Sequence, residues 1–434
     1  MKYRLCETDE KEIGMLYYLS TADGTGGRIK VLPEDFEVNE VSEGPEEDPN
    51  GKYTIARVKS SNWETNRMVR LMSRSLGVSR EKIGFAGTKD KRAVTSQLMS
   101  FQCSPEELGK INLKDIEITD VYRARRPIKI GELAGNRFSI KVKETEMPPE
   151  KIPETLESVL GDIRETGGFP NYFGVQRFGV VRPVTHRVGE KLVRGDTEGA
   201  VRDYLSYPSV FENEEVAEAR KELAQRDDWG ELLKIMPQSM GFEKSMVGHL
   251  ADNPGDWNGA IESLPGNLQM MLVHAYQSYI FNLMLSERME RGLPLNAPVE
   301  GDSVLPICAD GTPDHEHPSE VTSKNIDLVA NQVKSGRAAV AITVFGRDSV
   351  PRGGEMGEIE ARVIEREGIK TSDFTVVGLP RCSSKGSMRE IVCPVKDLKY
   401  SADPDGYEIS FYLTKGNYAT CLMREFMKSE MLSY

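Results

Sequence analysis

The densest cluster of chemically capable side chains is Gly84-Phe85-Ala86-Gly87-Thr88-Lys89-Asp90-Lys91-Arg92-Ala93-Val94-Thr95, where one carboxylate stands among three cations. Neighbouring positive charge favours the ionised form of Asp90. An ionised carboxylate with a free lone pair can act as a nucleophile or stabilise a cationic centre. The glycines would permit a tight turn that brings it to the rim of a cleft. The spacing is not that of a phosphate loop, since G-x-x-x-x-G-K-[ST] is absent. Taken alone, a structural Asp in a basic loop is the commoner outcome of such a pattern.

Two further segments have the composition of contact surfaces for unpaired bases. Gly135-Asn136-Arg137-Phe138 combines an amide, a guanidinium and an aromatic ring, and Asn171-Tyr172-Phe173-Gly174-Val175-Gln176-Arg177-Phe178-Gly179 interleaves aromatics with Gln and Arg. A Phe can stack on an extruded base while an Asn reads its hydrogen-bonding edge. The ordinary alternative is packing, with Phe138 in a core and Tyr172 and Phe178 at a domain junction.

Metal and disulfide chemistry have weaker support. Cys6, Cys103, Cys308, Cys382, Cys393 and Cys421 form no C-x-x-C pair, and a disulfide framework belongs to short secreted chains. Asp314-His315-Glu316-His317 lies between Pro313 and Pro318 with no further His or Cys at a supporting spacing. It is expected to be a solvated loop, and no metal site is expected.

Elements must position these residues. Asn136–Val142 alternates Phe138, Ile140 and Val142 with Arg137, Ser139 and Lys141, the pattern of a half-buried strand. Asn62 to Leu76 predicts an amphipathic helix capped by Asn62, with Met68, Leu71 and Met72 at helical spacing and Gly77 as its stop. Its other face presents Arg67, Arg70 and Arg74, set either against an RNA backbone or against water. Further helices are expected over Glu214–Gln225 and Asn267–Arg291. Tyr407, Ile409, Phe411 and Leu413 alternate as in a strand, and Cys421–Lys428 predicts a closing helix. The character changes near Gly167-Gly168 and the strand pattern returns at the C-terminus, as for a domain inserted into a mixed α/β domain.

A chain of 434 residues, 38% hydrophobic and 29% charged, exceeds what one core usually holds, so two domains are expected. The apolar stretch around Met270–Leu285 is interrupted by His274, Gln277 and Asn282 and falls short of a membrane span. Lys2, Arg4, Glu7, Asp9 and Glu10 open the chain without an apolar signal core, so a cytosolic protein is expected. The net charge of −12 is unevenly spread. Ten basic residues face three acidic ones between Ala56 and Thr95, and six face one between Val121 and Val142. A basic half on an acidic protein is either a phosphate-tracking surface or a set of solvated faces with local ion pairs.

Five stretches together resemble the TruD family of tRNA pseudouridine synthases, in the family's order and over nearly the whole chain. They are Ile29-Lys30-x-x-Pro33-Glu34-Asp35-Phe36-x-Val38-x-Glu40, then Gly87 to Thr95, then Gly135-Asn136-Arg137-Phe138. Pro170-Asn171-Tyr172-Phe173-Gly174-x-Gln176-Arg177-Phe178-Gly179 follows, and finally Leu413-x-Lys415-Gly416-x-Tyr418-Ala419-Thr420-x-Leu422-x-Arg424-Glu425. The resemblance implies an α+β fold. A pseudouridine-synthase catalytic domain with a mixed, mainly antiparallel sheet and central cleft would occupy residues 1–167 and 381–434. An inserted, mostly α/β TruD-specific domain would occupy 168–380. The family's catalytic aspartate falls on Asp90, the aromatic that packs against the target base on Phe138, the neighbouring polar contact on Asn136 and a cleft lysine on Lys30. The implied partner is tRNA, the implied target its uridine 13, and no cofactor is implied. The chain is longer than the compact bacterial members, and the surplus would lie in the insertion, where it bears on substrate choice.

Asp90 would attack either C1′ of the ribose or C6 of the ring, and the residues leave both routes open. Lys30 and Asn136 would hold the uracil or a nearby phosphate, or Lys30 would pair with Asp90. The acceptor of the C5 proton is not identified. A non-catalytic RNA-binding or chaperone protein using the same cleft is the alternative, and the intact motif around Asp90 weighs against it. An RNA nucleotidyl- or methyltransferase would want a phosphate loop with metal-binding carboxylates or a Gly-rich cofactor turn, and neither is present in convincing form.

Overall fold

Alternation of apolar and polar side chains builds the sheet that carries the candidate residues. The strands are β1 (Phe36–Val41), β2 (Tyr53–Ser61), β3 (Ile83–Phe85), β4 (Val94–Phe101), β5 (Ile116–Ala124), β6 (Gly135–Lys143), β7 (Lys396–Asp403) and β8 (Gly406–Thr414). They run in the order β7-β8-β6-β1-β4-β2-β5, with β3 pairing on β4 beyond the end of β1. Every pairing is antiparallel except β1 with β4, so the sheet is mixed and mainly antiparallel. Phe36, Val38 and Glu40 of β1 share a face with Asn136, Phe138 and Ile140 of β6 and Phe411 of β8.

The structure is a computed structural model that describes residues 3–403 and 405–434. Contacts divide it into two units, and these strands all belong to the one made of residues 22–168, 393–429 and 433–434. The longer helices of this unit are α1 (Thr65–Leu76), α2 (Ile152–Thr166) and α3 (Ala419–Met427). Met68, Val69 and Met72 of α1 close a core with Ala56, Val58, Met99 and Phe101. The expected cap moves by two residues. Glu64 accepts from the amides of Asn66 and Arg67, whereas Asn62 takes a left-handed φ of 60° as the chain leaves β2. An Asn tolerates that conformation, and the longer Glu side chain then reaches the free helix amides. Gly77 ends the helix with φ 64°, as expected.

The second unit holds residues up to 21 together with 169–392 and 430–432. It is largely helical around the long helix Gly266–Glu290, with an antiparallel four-stranded sheet that includes Ser303–Pro306 and Ala338–Val344. The polar residues that interrupt the long helix tie it to its neighbours. Asn282 donates to the carbonyls of Ile13 and Phe173, Gln277 donates to Phe345, and Arg288 pairs with buried Asp302 at 2.5 Å. No helix among the described residues is long and apolar enough to cross a membrane. In the Asp314–His317 loop, His317 Nδ1 lies 2.8 Å from Asp314 Oδ2 and His315 Nδ1 lies 3.1 Å from the Met388 carbonyl.

Candidate active site

Residues 86–93 connect β3 to β4 without helix or strand, and Asp90 sits on this connection with its side chain 43% exposed. The turn does not depend on Gly87, which has no positive φ and where an added Cβ would meet Lys89 Nζ at an ordinary 4.0 Å. Lys30 reaches Asp90 from the segment before β1, its Nζ 3.5 Å from Asp90 Oδ1 and its side chain only 14% exposed. The same ammonium lies 4.3 Å from the centroid of the Phe36 ring. It therefore bridges a carboxylate and an aromatic face, each an electrostatic partner for an ammonium. Water at the half-exposed Asp90 weakens the ion pair's contribution.

Lys30 adopts φ 57°, a left-handed conformation that costs a non-glycine residue about 1–3 kcal/mol and survives only where its surroundings hold it. Those surroundings are present. Arg28 and Lys143 exchange two main-chain hydrogen bonds at 2.8 and 3.0 Å. Buried Asp35 accepts from the Leu32 amide at 2.7 Å and pairs with Lys143 at 2.6 Å. Arg92 donates to the Val31 carbonyl at 2.9 Å, linking this segment to the Asp90 loop.

Phe138 lies opposite Val38 on one side and Phe411 on the other. Its ring stacks on Phe411 at 5.2 Å and meets the edge of Phe36 at 6.2 Å, yet it is only half-buried. Asn136 shares this face, opposite Glu40 and Leu413, and its Oδ1 is buried without a hydrogen-bond partner. A buried acceptor left unpaired costs free energy that a ligand donor would recover. Gly135 is required before it, because a Cβ there would sit 2.2 Å from the Leu413 carbonyl.

The structure thus joins Lys30 to Asp90 directly and to Phe138 through Phe36. Asn136 occupies the next position on the strand face that bears Phe138. The segment Asn171–Gly179 behaves otherwise. Tyr172, Phe173 and Phe178 are buried, so they pack rather than offer rings to bases. Asn171 is fixed by the Ile391 and Glu390 carbonyls and by Arg389 at 2.6 Å. Burying large apolar rings outweighs leaving them exposed at a surface.

Sequence reasoning did not single out Glu40, whose Oε2 lies 2.6 Å from Lys89 Nζ with both side chains almost fully buried. The signal was present, since Glu40 continues the apolar register Phe36-x-Val38-x-Glu40. A carboxylate on the buried face of a strand calls for a buried partner. Gln97, whose two side-chain polar atoms are buried without partners, is a second such residue.

The family model for tRNA pseudouridine synthase D (TruD) matches residues 12–426. A probable tRNA pseudouridine synthase D of Methanococcoides burtonii is 40% identical over 431 residues, 98% of both chains. One from Pyrococcus furiosus is 37% identical over 422 residues, 96% of this chain and 99% of its own. The crystal structure of the putative tRNA pseudouridine synthase D (TruD) from Methanosarcina mazei superposes with a TM-score of 0.85 at 39% identity, covering 99% of this chain and 100% of that one.

Proposed function

The chain belongs to the TruD family of tRNA pseudouridine synthases, and from that premise we propose that it converts uridine 13 of tRNA to pseudouridine with Asp90 as the reacting carboxylate. The observation that carries the residue assignment is the half-exposed Asp90 carboxylate held 3.5 Å from Lys30. The reaction breaks the N1–C1′ bond, turns the uracil and joins C5 to C1′. No atom is gained or lost overall, so the chemistry calls for no redox cofactor.

The uridine first leaves its stack, at a cost of a few kcal/mol. Phe138, only part-covered by Phe36 and Phe411, offsets part of that by stacking on the extruded base. Asp90 then attacks at C1′, with the uracil leaving on its N1 electron pair, or adds at C6 of the ring. On either route the N1–C1′ bond breaks, C5 forms the new bond to C1′ and the carboxylate is released, while C5 gives up its proton and N1 takes one up from solvent. Lys30 holds the carboxylate in place, and Asn136 Oδ1 accepts from the uracil imide N–H. We assign the chemistry to the unit carrying the eight-stranded sheet. The working compartment we propose is the cytosol.

The test of this function is an unmodified tRNA transcript incubated with the protein and a chelator. Pseudouridine at position 13, lost when that position carries cytidine, is the expected result. Pseudouridine arising only at another position would displace the assigned target.

A further inference from the structure

Residues 86–93 have no helix or strand to fix them, so something else must hold Asp90 at a reproducible place. The sequence Lys89-Asp90-Lys91-Arg92 looks like a uniform cationic run, but its side chains go to different places. Lys89 turns inward, with Nζ 2.6 Å from Glu40 Oε2 and side chains 5% and 0% exposed. The other Glu40 oxygen accepts from the Ser42 hydroxyl at 2.8 Å and the Leu98 amide at 3.3 Å, so this carboxylate is committed to protein donors. The Lys89 amide donates at 2.9 Å to Thr65 Oγ1, in the first residue of α1. On the other side of Asp90, Arg92 donates to the carbonyl of Val31, the neighbour of Lys30. Lys91 stays exposed.

A buried ion pair seldom stabilises a fold more than an apolar pair of similar volume would, so stability does not account for its position beside Asp90. A buried pair does supply a fixed distance and direction. We propose that Lys89 and Arg92 are positioning residues for Asp90. The Lys89–Glu40 pair ties the loop to β1 on one side of the carboxylate. The Arg92–Val31 hydrogen bond ties it to the Lys30 segment on the other. The inference rests on Asp90 being the reacting carboxylate.

The direct test replaces the buried pair by an apolar one, Glu40→Leu with Lys89→Met, and measures kcat, KM for tRNA and the thermal midpoint. A purely structural pair would be replaced without loss of turnover. The positioning role predicts KM close to wild type and kcat lower by about 10²-fold, the effect of a misplacement near 1 Å, beside a midpoint lowered by the orphaned Leu98 amide. Wild-type kcat in the apolar variant overturns it. Should that variant not fold, Arg92→Gln alters only an exposed side chain. Its kcat should fall about tenfold, a smaller share of the same misplacement effect, with KM unchanged. A raised KM with intact kcat would make Arg92 a phosphate contact and overturn its assignment. Asp90→Asn runs beside both. Retained turnover there sinks the reading of Asp90 itself, whereas its loss with unchanged kcat in the tether variants overturns the tethers alone.

Discussion

Phe138 continues the apolar face of its strand but stays half-buried, because Phe36 and Phe411 cover only part of its ring. If it stacks on the extruded uracil, Phe138→Ala forfeits about 1–3 kcal/mol. That corresponds to a fall in kcat/KM of roughly five- to 150-fold, and unaffected kinetics would return Phe138 to packing. A second residue-scale prediction concerns His186, which lies between Phe178 at 5.3 Å and Tyr279 at 5.2 Å. Burial holds its imidazolium off, lowering its pKa from 6.5 to about 3, with Arg187 adding to the shift. The unfolded chain therefore binds a proton that the folded one refuses between those values. Stability contributed by the neutral ring is full above pH 6.5 and is lost as pH falls towards 3, up to about tenfold in the folding constant per pH unit. His186→Phe should flatten the acid limb of a denaturation series, and an unchanged limb would contradict this account. At this scale Asp90, Lys30, Phe138 and Asn136 were legible through motif resemblance. Glu40 was visible only as a carboxylate on an apolar register, and the Arg92–Val31 bond left no sequence signal because any residue supplies a carbonyl.

Elements were read more surely than their ends. The alternation of Asn136–Val142 became the strand Gly135–Lys143, and Glu214–Gln225 formed with those bounds. The start of α1 moved because capping depends on which side chain reaches the free amides, and two candidates stood two residues apart. On α1 Met68, Val69 and Met72 are buried and Leu71 is half-buried, while Arg67, Arg70 and Arg74 are exposed. Arg67 rests 5.7 Å over the Trp63 ring. Since Thr65 at the head of α1 holds the Asp90 loop, RNA entering the site would have this face beside it. Arg70→Ala with Arg74→Ala should reduce the log–log salt slope of tRNA affinity by about one unit per lost phosphate contact. The paired control Lys324→Ala with Lys334→Ala, exposed cations of the other unit, should leave it unchanged. Equal slopes in all three proteins would make the face solvated surface.

For the whole molecule, the net charge of −12 misleads where its distribution informs. The two contact units part after Thr21, Gly168 and Val392. The strand pattern at the C-terminus was legible, but its pairing partner was not. β8 lies beside β6 in a register from Gly406 with Lys143 to Thr414 with Gly135, and nothing local encodes a pairing across so long an insertion. Nor did the sequence show that residues before Ala22 pack with the inserted unit. That attachment runs through single bonds such as Asn282 to the Ile13 carbonyl and Ser286 to the Gly14 carbonyl. The central claim is that this molecule isomerises a tRNA uridine through Asp90. Wild-type protein and Asp90→Asn should be compared on unmodified tRNA transcripts, without cofactor and with a chelator, by carbodiimide-blocked primer extension alongside tRNA binding. The account predicts pseudouridine from the wild type, none from the near-isosteric variant, and similar tRNA affinity for both. Pseudouridine formed by Asp90→Asn at the wild-type rate would contradict it.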